Sequence, residues 1–383
     1  MKILILGWYG TETIGDRAIL AGLLHFFKDS FGSFDCKLGS LYPFFTERTI
    51  NEDFEFYRKS TDINPAIHLF DSKMTRELDS AIQASDLIVM GGGPLMHIDP
   101  IFMIEYAFKK AQHLKKKTAL LGCGIGPFFS SKHKKALVSI LRNSDLTILR
   151  DSLSQSNLNE ILRQYGNEKD RRIFVSLDPS MRCVLDFNAL HQPHEGDYVA
   201  INLRSFPKEY ATENIKERIE SSLYSIVDNL FDLFYGKKLI LVPLSYFCIG
   251  GDDREILNRI SLRLRKENLV VQNKPLALAE TLEIFQNAFF NVGMRFHSII
   301  FQTLSNGKNC ILDYTEPHKG KISGFLKDID PESFYASRYV SLQKDAPKDN
   351  FWKNVNIHDK FSYRKEVLED QLRIYSDHLR KII

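Results

Sequence analysis

At 383 residues the chain is too long for one ordinary core, so two domains are expected. Its 44% hydrophobic and 26% charged residues are those of a soluble globular protein, and a net charge of +3 gives no reason to expect nucleic acid as a partner while leaving room for an anionic small molecule. Five cysteines without a C-x-x-C pair argue against a disulfide framework or a metal site, and for buried thiols in a reducing compartment.

The opening apolar run, Lys2–Leu6, is shorter than the h-region of a secretory signal, about 7–15 residues. No window approaches the roughly 20 apolar residues of a membrane span, so a cytoplasmic location is expected. Short apolar runs then alternate with longer amphipathic ones. Strands are predicted at Lys2–Leu6, Asp35–Leu41, Leu87–Met90, Thr118–Gly122, Leu146–Leu149 and Arg172–Val175. Helices are predicted at Asp16–Lys28, Arg76–Ala84, Ile101–Lys115, Ser131–Arg142 and Ser152–Gln164. The lysines Lys109, Lys110 and Lys115 to Lys117 lie on or beside one of these helices. A solvated helix face is the favoured reading and peripheral membrane contact the alternative.

The turn formers between Asp186 and Asp197 predict a linker. A second alternating series follows: strands Tyr198–Leu203, Lys238–Val242, Asn268–Val271, Phe289–Val292 and Asn309–Leu312, with helices Asn214–Phe234, Asp253–Arg265, Leu276–Asn287 and Ser298–Ser305 between them. The expected organisation is an α/β domain over 1–186, a second over 197–350, and a helical tail over 351–383. Buried strands separated by helices predict doubly wound parallel sheets. In two such domains in tandem, ligands are expected where the C-terminal strand ends face a cleft.

The motifs fall at predicted strand ends. Gly7 to Asp16 is a glycine-rich turn entering a helix, with Gly10 and Gly15 able to admit an anion or a sugar. Its spacing is not G-x-G-x-x-G, so a dinucleotide fingerprint is not supported. Asp16 is either a helix cap or a base, and Trp8 and Tyr9 either stack on a ligand or are buried. The triple glycine Gly91, Gly92 and Gly93 marks a surface pressed against a ligand or a neighbouring element, with His97 just beyond as an acid/base candidate. A third glycine-rich loop runs from Gly122 to Pro127. Arg150 either forms a structural ion pair with Asp151, the favoured reading, or points into the cleft, and Asp178 before Pro179 is turn chemistry first and a site candidate second. In the second series, Arg204 is either a cationic clamp or solvated, and Asp252 with Asp253 suits a helix start. The strongest signal is Gly293-Met294-Arg295-Phe296-His297 between a strand and a helix. Helix N–H groups and a guanidinium suit an anion, and His297 can move a proton beside it. Asp313 and Tyr314 close the next strand, and Lys319 or Lys321 beyond, near His318, is a phosphate ligand or a solvated lysine.

Taken together, these residues resemble the polysaccharide pyruvyl transferase family. The marks are Gly7-Trp8-Tyr9-Gly10 with Ile14-Gly15-Asp16-Arg17-Ala18-Ile19-Leu20, then Gly91-Gly92-Gly93-Pro94-Leu95, Gly124-Ile125-Gly126-Pro127, Leu149-Arg150-Asp151-Ser152, Asp178-Pro179, the Gly293–His297 motif and Asp313-Tyr314. They span residues 1 to about 327 in order. The resemblance implies two Rossmann-like domains in a GT-B-like arrangement with a central cleft. It implies transfer of the enolpyruvyl group of phosphoenolpyruvate onto sugar hydroxyls as a cyclic ketal, with no cofactor and no metal. The expected acceptor is a polysaccharide or its lipid-linked precursor, met at the inner face of the membrane. Arg295 and His297 are the family's expected active-site residues. Two loops depart from the family pattern. The usual Asn-x-Gly-Asp-Glu is Thr13-Ile14-Gly15-Asp16-Arg17, and a Gln-Asp pair is replaced by Met96-His97. Both lie in the acceptor domain.

In this chemistry Arg295, Arg204, the helix N-terminus at His297 and Lys319 hold the donor's phosphate and carboxylate, and His297 protonates C3. Asp16 or His97 is the acceptor-side base, and Gly10, Gly15, Gly92 and Gly93 line the first domain's share of the site. The alternatives are a GT-B glycosyltransferase using a nucleotide sugar and a glycan-binding protein without activity.

Overall fold

The computed structural model describes residues 1–165, 173–207, 213–247, 249–317, 319–344 and 349–382. Cys248, His318 and the predicted strand residue Arg172 lie outside them. The chain forms two compact units. The first comprises 1–12, 16–186 and 364–383, and the second comprises 13–15 and 187–363.

In the first unit seven parallel strands are ordered β3-β2-β1-β4-β5-β6-β7. They are β1 (Lys2–Leu6), β2 (Asp35–Ser40), β3 (Ala66–Asp71), β4 (Leu87–Met90), β5 (Lys117–Cys123), β6 (Leu146–Leu149) and β7 (Ile173–Val175). The helices between them are α1 (Ile14–Phe31), α2 (Pro43–Thr61), α3 (Thr75–Ala84), α4 (Ile101–His113), α5 (Ser131–Arg142) and α6 (Ser152–Gln164), followed by α7 (Ser180–Leu190). The central strands are runs of Ile, Leu, Val and Met buried on both faces, as a sheet covered by helices on each side requires. Asp151 starts α6 by accepting from the Ser154 N–H at 2.5 Å.

The second unit repeats this winding with β8 (Tyr198–Asn202), α8 (Glu213–Leu233), β9 (Lys238–Leu241), α9 (Asp253–Leu264), β10 (Leu269–Val271), α10 (Leu278–Asn287), β11 (Phe290–Gly293), α11 (Phe296–Ser305), β12 (Asn309–Asp313), α12 (Lys321–Ile329), β13 (Tyr339–Ser341) and α13 (Asp349–Asn354). Its parallel order is β10-β9-β8-β11-β12-β13. Each sheet reverses its winding once, between β1 and β4 and between β8 and β11. In doubly wound sheets the ligand crevice opens at that reversal. Leu6 lies opposite Met90, and Asn202 opposite Gly293. The loops that follow these four residues therefore start at the reversals.

Several features differ from the sequence expectation, among them α12 and β13, for which no elements are predicted. Helix α2 and strand β3 occupy a stretch for which no elements are predicted. β3 is the sheet edge, only partly buried, so it carries no continuous apolar signature. The predicted linker from Asp186 starts too early. α7 continues to Leu190 because Met181, Cys183, Val184, Leu185 and Phe187 are all buried, and the turn formers Pro193 and Gly196 lie beyond it. Residues 351–383 are not one tail. The part to Tyr363 belongs to the second unit, and α14 (Lys365–Ile382) belongs to the first. There Tyr375 stacks on Phe26 at 4.4 Å and donates to the Leu177 carbonyl at 2.7 Å.

No helix of the described residues is long and apolar enough to cross a membrane. On and beside α4, Lys109 pairs with Glu105 at 2.6 Å, Lys110 with Asp79 at 2.5 Å and Lys117 with Asp145 at 3.8 Å, so much of this basic run is neutralised by local ion pairs.

One half-buried ionic contact ties α1 to α7. His25 Nδ1 lies 2.9 Å from Asp186, and Nε2 lies 3.4 Å from Asp29. Burial alone would lower the imidazole pKa, but the two carboxylates outweigh it and raise it to about 9. The folded value exceeds the unfolded one, about 6.5, so this contact's stabilisation is complete below about pH 6.5 and is lost as pH rises through about 9. Thermal melting across that window should show the wild type losing its advantage over His25→Asn as pH rises. A constant gap between the two would contradict this.

Candidate active site

In the first unit, the glycine-rich loops press on one another. A Cβ on Gly92 would lie 2.9 Å from the Gly7 Cα, and one on Gly93 would lie 2.8 Å from the Trp8 ring. The Tyr9 hydroxyl donates to the Gly91 carbonyl at 2.6 Å, and Trp8 Nε1 donates to the Pro94 carbonyl at 2.8 Å. Both aromatic residues are buried. Gly10 lies against Ser40 and Tyr42 in the same way. Gly10, Gly92 and Gly93 are thus used for close packing of loop on loop, and Trp8 and Tyr9 belong to the interior.

Asp16 sits three residues into α1, past the cap position, with its carboxylate 3.4 Å from the Thr11 hydroxyl. It is half-buried. The neighbouring Arg17 is buried and forks onto Asp53 of α2, with Nε and Nη2 each at 2.5 Å, and reaches Glu52 at 3.1 Å. Glu12 accepts from Arg48 at 2.6 and 2.7 Å. The unusual cation of this loop is therefore neutralised inside the unit. His97 Nδ1 accepts the Phe129 N–H at 3.3 Å, and its ring lies 3.9 Å from that of His133. An imidazole accepting at Nδ1 carries its proton on Nε2, which makes it a donor rather than a base. Arg150 is buried between Asp151 at 3.3 Å and Asp178 at 3.6 Å.

The second unit gathers charge at its reversal. Arg295 precedes α11, and its backbone N–H donates to Asn202 Oδ1 at 3.0 Å. Its Nε and Nη2 each donate to Asp253 at 2.6 Å, a bidentate pair. Asp253, 1% exposed, also accepts the Leu244 and Ser245 N–H groups at 3.0 and 3.2 Å. Arg204 leaves β8 toward the same place. It donates to the Gly250 carbonyl at 3.1 Å, and its Nη1 stands 3.5 Å from the Tyr314 hydroxyl. Arg295 Nη2 reaches the Gly251 carbonyl at 3.3 Å. Lys321, at the start of α12, holds its ammonium 5.6 Å from the Phe296 ring centre and 5.8 Å from that of Tyr314. Asp252 is paired with Arg254 at 2.5 Å. Burial and the nearby Arg295 lower the Arg204 pKa. Burial raises that of the Tyr314 phenol, but Lys321, Arg204 and Arg295 outweigh it and bring it down to about 8.

His297 lies in the first turn of α11. Gly15, expected on the first domain's side, belongs instead to the second unit, where a Cβ on it would fall 1.9 Å from His297 Nδ1, so only glycine leaves room for the ring. The Gly15 segment is held there by the Ile14 N–H, which donates to the Leu244 carbonyl at 3.0 Å. Lys319 does not join the cluster. Its ammonium is largely exposed and pairs with Glu316 at 3.1 Å, and Lys321 stands at the arginines instead.

Asn202, Asp253, Tyr314 and Lys321 thus join Arg204, Arg295 and His297. The sequence singles out Asp253 only as a helix starter, and Tyr314 only as a strand end and a mark of the family resemblance, without a role at the site. No spacing rule links a strand-end arginine to a carboxylate 42 residues earlier. Among the described residues no group of three His, Cys, Asp or Glu side chains is placed to hold a metal ion. Arg204, Arg295 and Lys321 all act on Tyr314, and the carboxylate among them, Asp253, is bound to Arg295, so the cluster keeps net positive charge for a multiply charged anion.

A family model described as polysaccharide pyruvyl transferase matches residues 14–315. No curated protein matches the sequence. Among solved structures, the chain is similar to Methanocaldococcus jannaschii UDP-GlcNAc 2-epimerase in complex with UDP-GlcNAc and UDP, with a TM-score of 0.55, 13% identity and 99% of each chain covered. It is similar to S. aureus MnaA in its UDP co-structure, at a TM-score of 0.54 and 14% identity over 99% of this chain and 94% of that one. It is also similar to the trehalose-6-phosphate synthase OtsA, at a TM-score of 0.57 and 9% identity over 99% of this chain and 98% of that one. At these identities the likeness concerns the fold, two Rossmann-like α/β domains.

Asp253→Asn keeps the side chain's size and removes the charge onto which Arg295 forks. The expected cost is about 3 kcal/mol of stability, read from urea unfolding of the full-length protein. A change below about 0.5 kcal/mol, the usual range for a surface substitution, would show that the pair does not hold the loops.

Proposed function

The chain belongs to the polysaccharide pyruvyl transferase family, and we propose that it moves the enolpyruvyl group of phosphoenolpyruvate onto hydroxyls of a polysaccharide, or of its lipid-linked precursor, as a pyruvate ketal. The observation that carries this reading is the cluster of Arg204, Arg295 and Lys321 around Asp253 and Tyr314, beside His297 at the start of α11. Phosphoenolpyruvate brings a phosphate and a carboxylate, and needs cations for both. Two guanidiniums, one ammonium and the N–H groups of a helix end suit that demand.

In this reading His297 gives a proton to C3 of the enol, and C2 becomes electrophilic. A sugar hydroxyl attacks C2 and loses its proton to a base. Asp16 is the better candidate for that base, since His97 already accepts a hydrogen bond at Nδ1. The C2–O bond to phosphate breaks, inorganic phosphate leaves, and a second hydroxyl of the same sugar closes the ketal, its proton passing to the imidazole of His297 and restoring the acid. The fixed cations stabilise the leaving phosphate.

The test is incubation of the full-length protein with phosphoenolpyruvate and candidate acceptor glycans, following phosphate release and ketal formation. A parallel series uses nucleotide sugars, of the kind bound in the similar M. jannaschii epimerase. Acceptor-dependent phosphate release supports the proposal, and nucleotide release in its place overturns it. His297→Ala should lower turnover by about 10²- to 10⁴-fold, the usual range for a general acid. Gly15→Ala should cost about 10²-fold through displacement of the imidazole, with an unchanged far-ultraviolet circular dichroism spectrum.

A further inference from the structure

Tyr314 belongs to the cationic cluster, yet the transfer chemistry above gives it no task. It directly follows β12 and is 1% exposed. Cations face it from three elements: Arg204 beyond β8, Arg295 before α11 and Lys321 of α12. The Arg204 guanidinium lies 5.2 Å from its ring centre. Of the nearby carboxylates, Asp253 is bound to Arg295, and Asp313 is turned to Thr315 and Tyr339, with contacts of 2.6 Å to each hydroxyl. The buried hydroxyl therefore sits in a field dominated by positive charge.

We infer that Tyr314 is the proton-exchanging residue of the anion site: it is partly ionised when the site is empty and takes up a proton when a dianion binds among Arg204, Arg295 and Lys321. The inference rests on the proposed donor site and deepens it. The physical reason is mutual competition. A phenolate and a bound dianion draw on the same three cations, so each weakens the other. A dianion that offsets the cations removes what held the phenol ionised, and the O–H that reforms can donate to an anion oxygen. The balance is one proton taken from solvent by the phenolate oxygen, with no other bond made or broken. Binding and ionisation are linked, so affinity for the dianion is level below about pH 8 and falls by up to tenfold per pH unit above it.

Sulfate is the probe, because it stays a dianion throughout this range and cannot itself take up the proton. Calorimetry of sulfate binding to the full-length protein at about pH 8, in two buffers of different ionisation enthalpy, should show roughly half a proton taken up per sulfate. Ultraviolet difference absorbance should show one tyrosinate forming near the same pH in the free protein, shifted upward by saturating sulfate. Tyr314→Phe should abolish both signals and flatten the pH dependence of sulfate affinity. Because proton uptake and the tyrosinate step are both read in the wild type, the test holds even where Tyr314→Phe folds poorly. Three results would overturn the inference: no sulfate binding, binding without proton uptake, or a tyrosinate step that Tyr314→Phe leaves in place. None of these measurements needs turnover. A protein that passes them and still fails to consume phosphoenolpyruvate would overturn the proposed function alone.

Discussion

The second unit depends on one buried ion pair. Asp253 has almost no contact with water, and its two oxygens accept from both nitrogens of the Arg295 fork and from two backbone N–H groups. A carboxylate removed from water is costly unless its acceptor positions are filled. Here they are filled by groups from two loops, the one after β9 and the one after β11. Each loop therefore keeps its shape only while the other does. Asn202 extends the tie: its Oδ1 accepts the Arg295 N–H and its Nδ2 donates to the Val242 carbonyl at 2.8 Å. The plane of the guanidinium is set by this frame before any ligand arrives, which lowers the ordering cost of binding.

Charge in the first unit is handled differently. Arg17 and Glu12 stand on either side of Asp16, and each is paired with α2, through Asp53 and Arg48. Where the family pattern has a carboxylate, this chain has a cation whose counter-charge comes from a helix that the sequence pattern does not reveal. The change in the loop is thus an internal ion pair, and Asp16 remains the carboxylate of this stretch that is only half-buried. The glycines nearby serve packing of Gly7 on Gly92 and of Trp8 on Gly93. The two reversals share a winding but not a chemistry: one is close-packed and nearly neutral, the other cationic.

Much of the fold is legible in the sequence, because buried parallel strands are short runs of Ile, Leu and Val, and such runs stand out. Lys2–Leu6, Leu87–Met90 and Leu146–Leu149 are read with the bounds they have in the structure. β3 is not, because an edge strand is buried too little to carry that pattern. The site is legible only in part. Arg295 and His297 stand out because a glycine, a strand end and a helix start coincide there. Arg204 is ambiguous in sequence, and its links to Gly250 and Tyr314 show that it is held by the protein rather than solvated. Lys319 and Lys321 are indistinguishable by composition, and only the start of α12 directs Lys321 to the cluster.

By itself, the sequence determined the two-domain α/β class, the family, and the strand-end motifs, because each depends on the type and local order of residues. The tertiary structure decided which charges meet. Asp253 and Arg295 are 42 positions apart, and Arg204 and Tyr314 are 110 apart. Electrostatic interaction falls with distance in space and rises with burial, and neither quantity can be read along the chain.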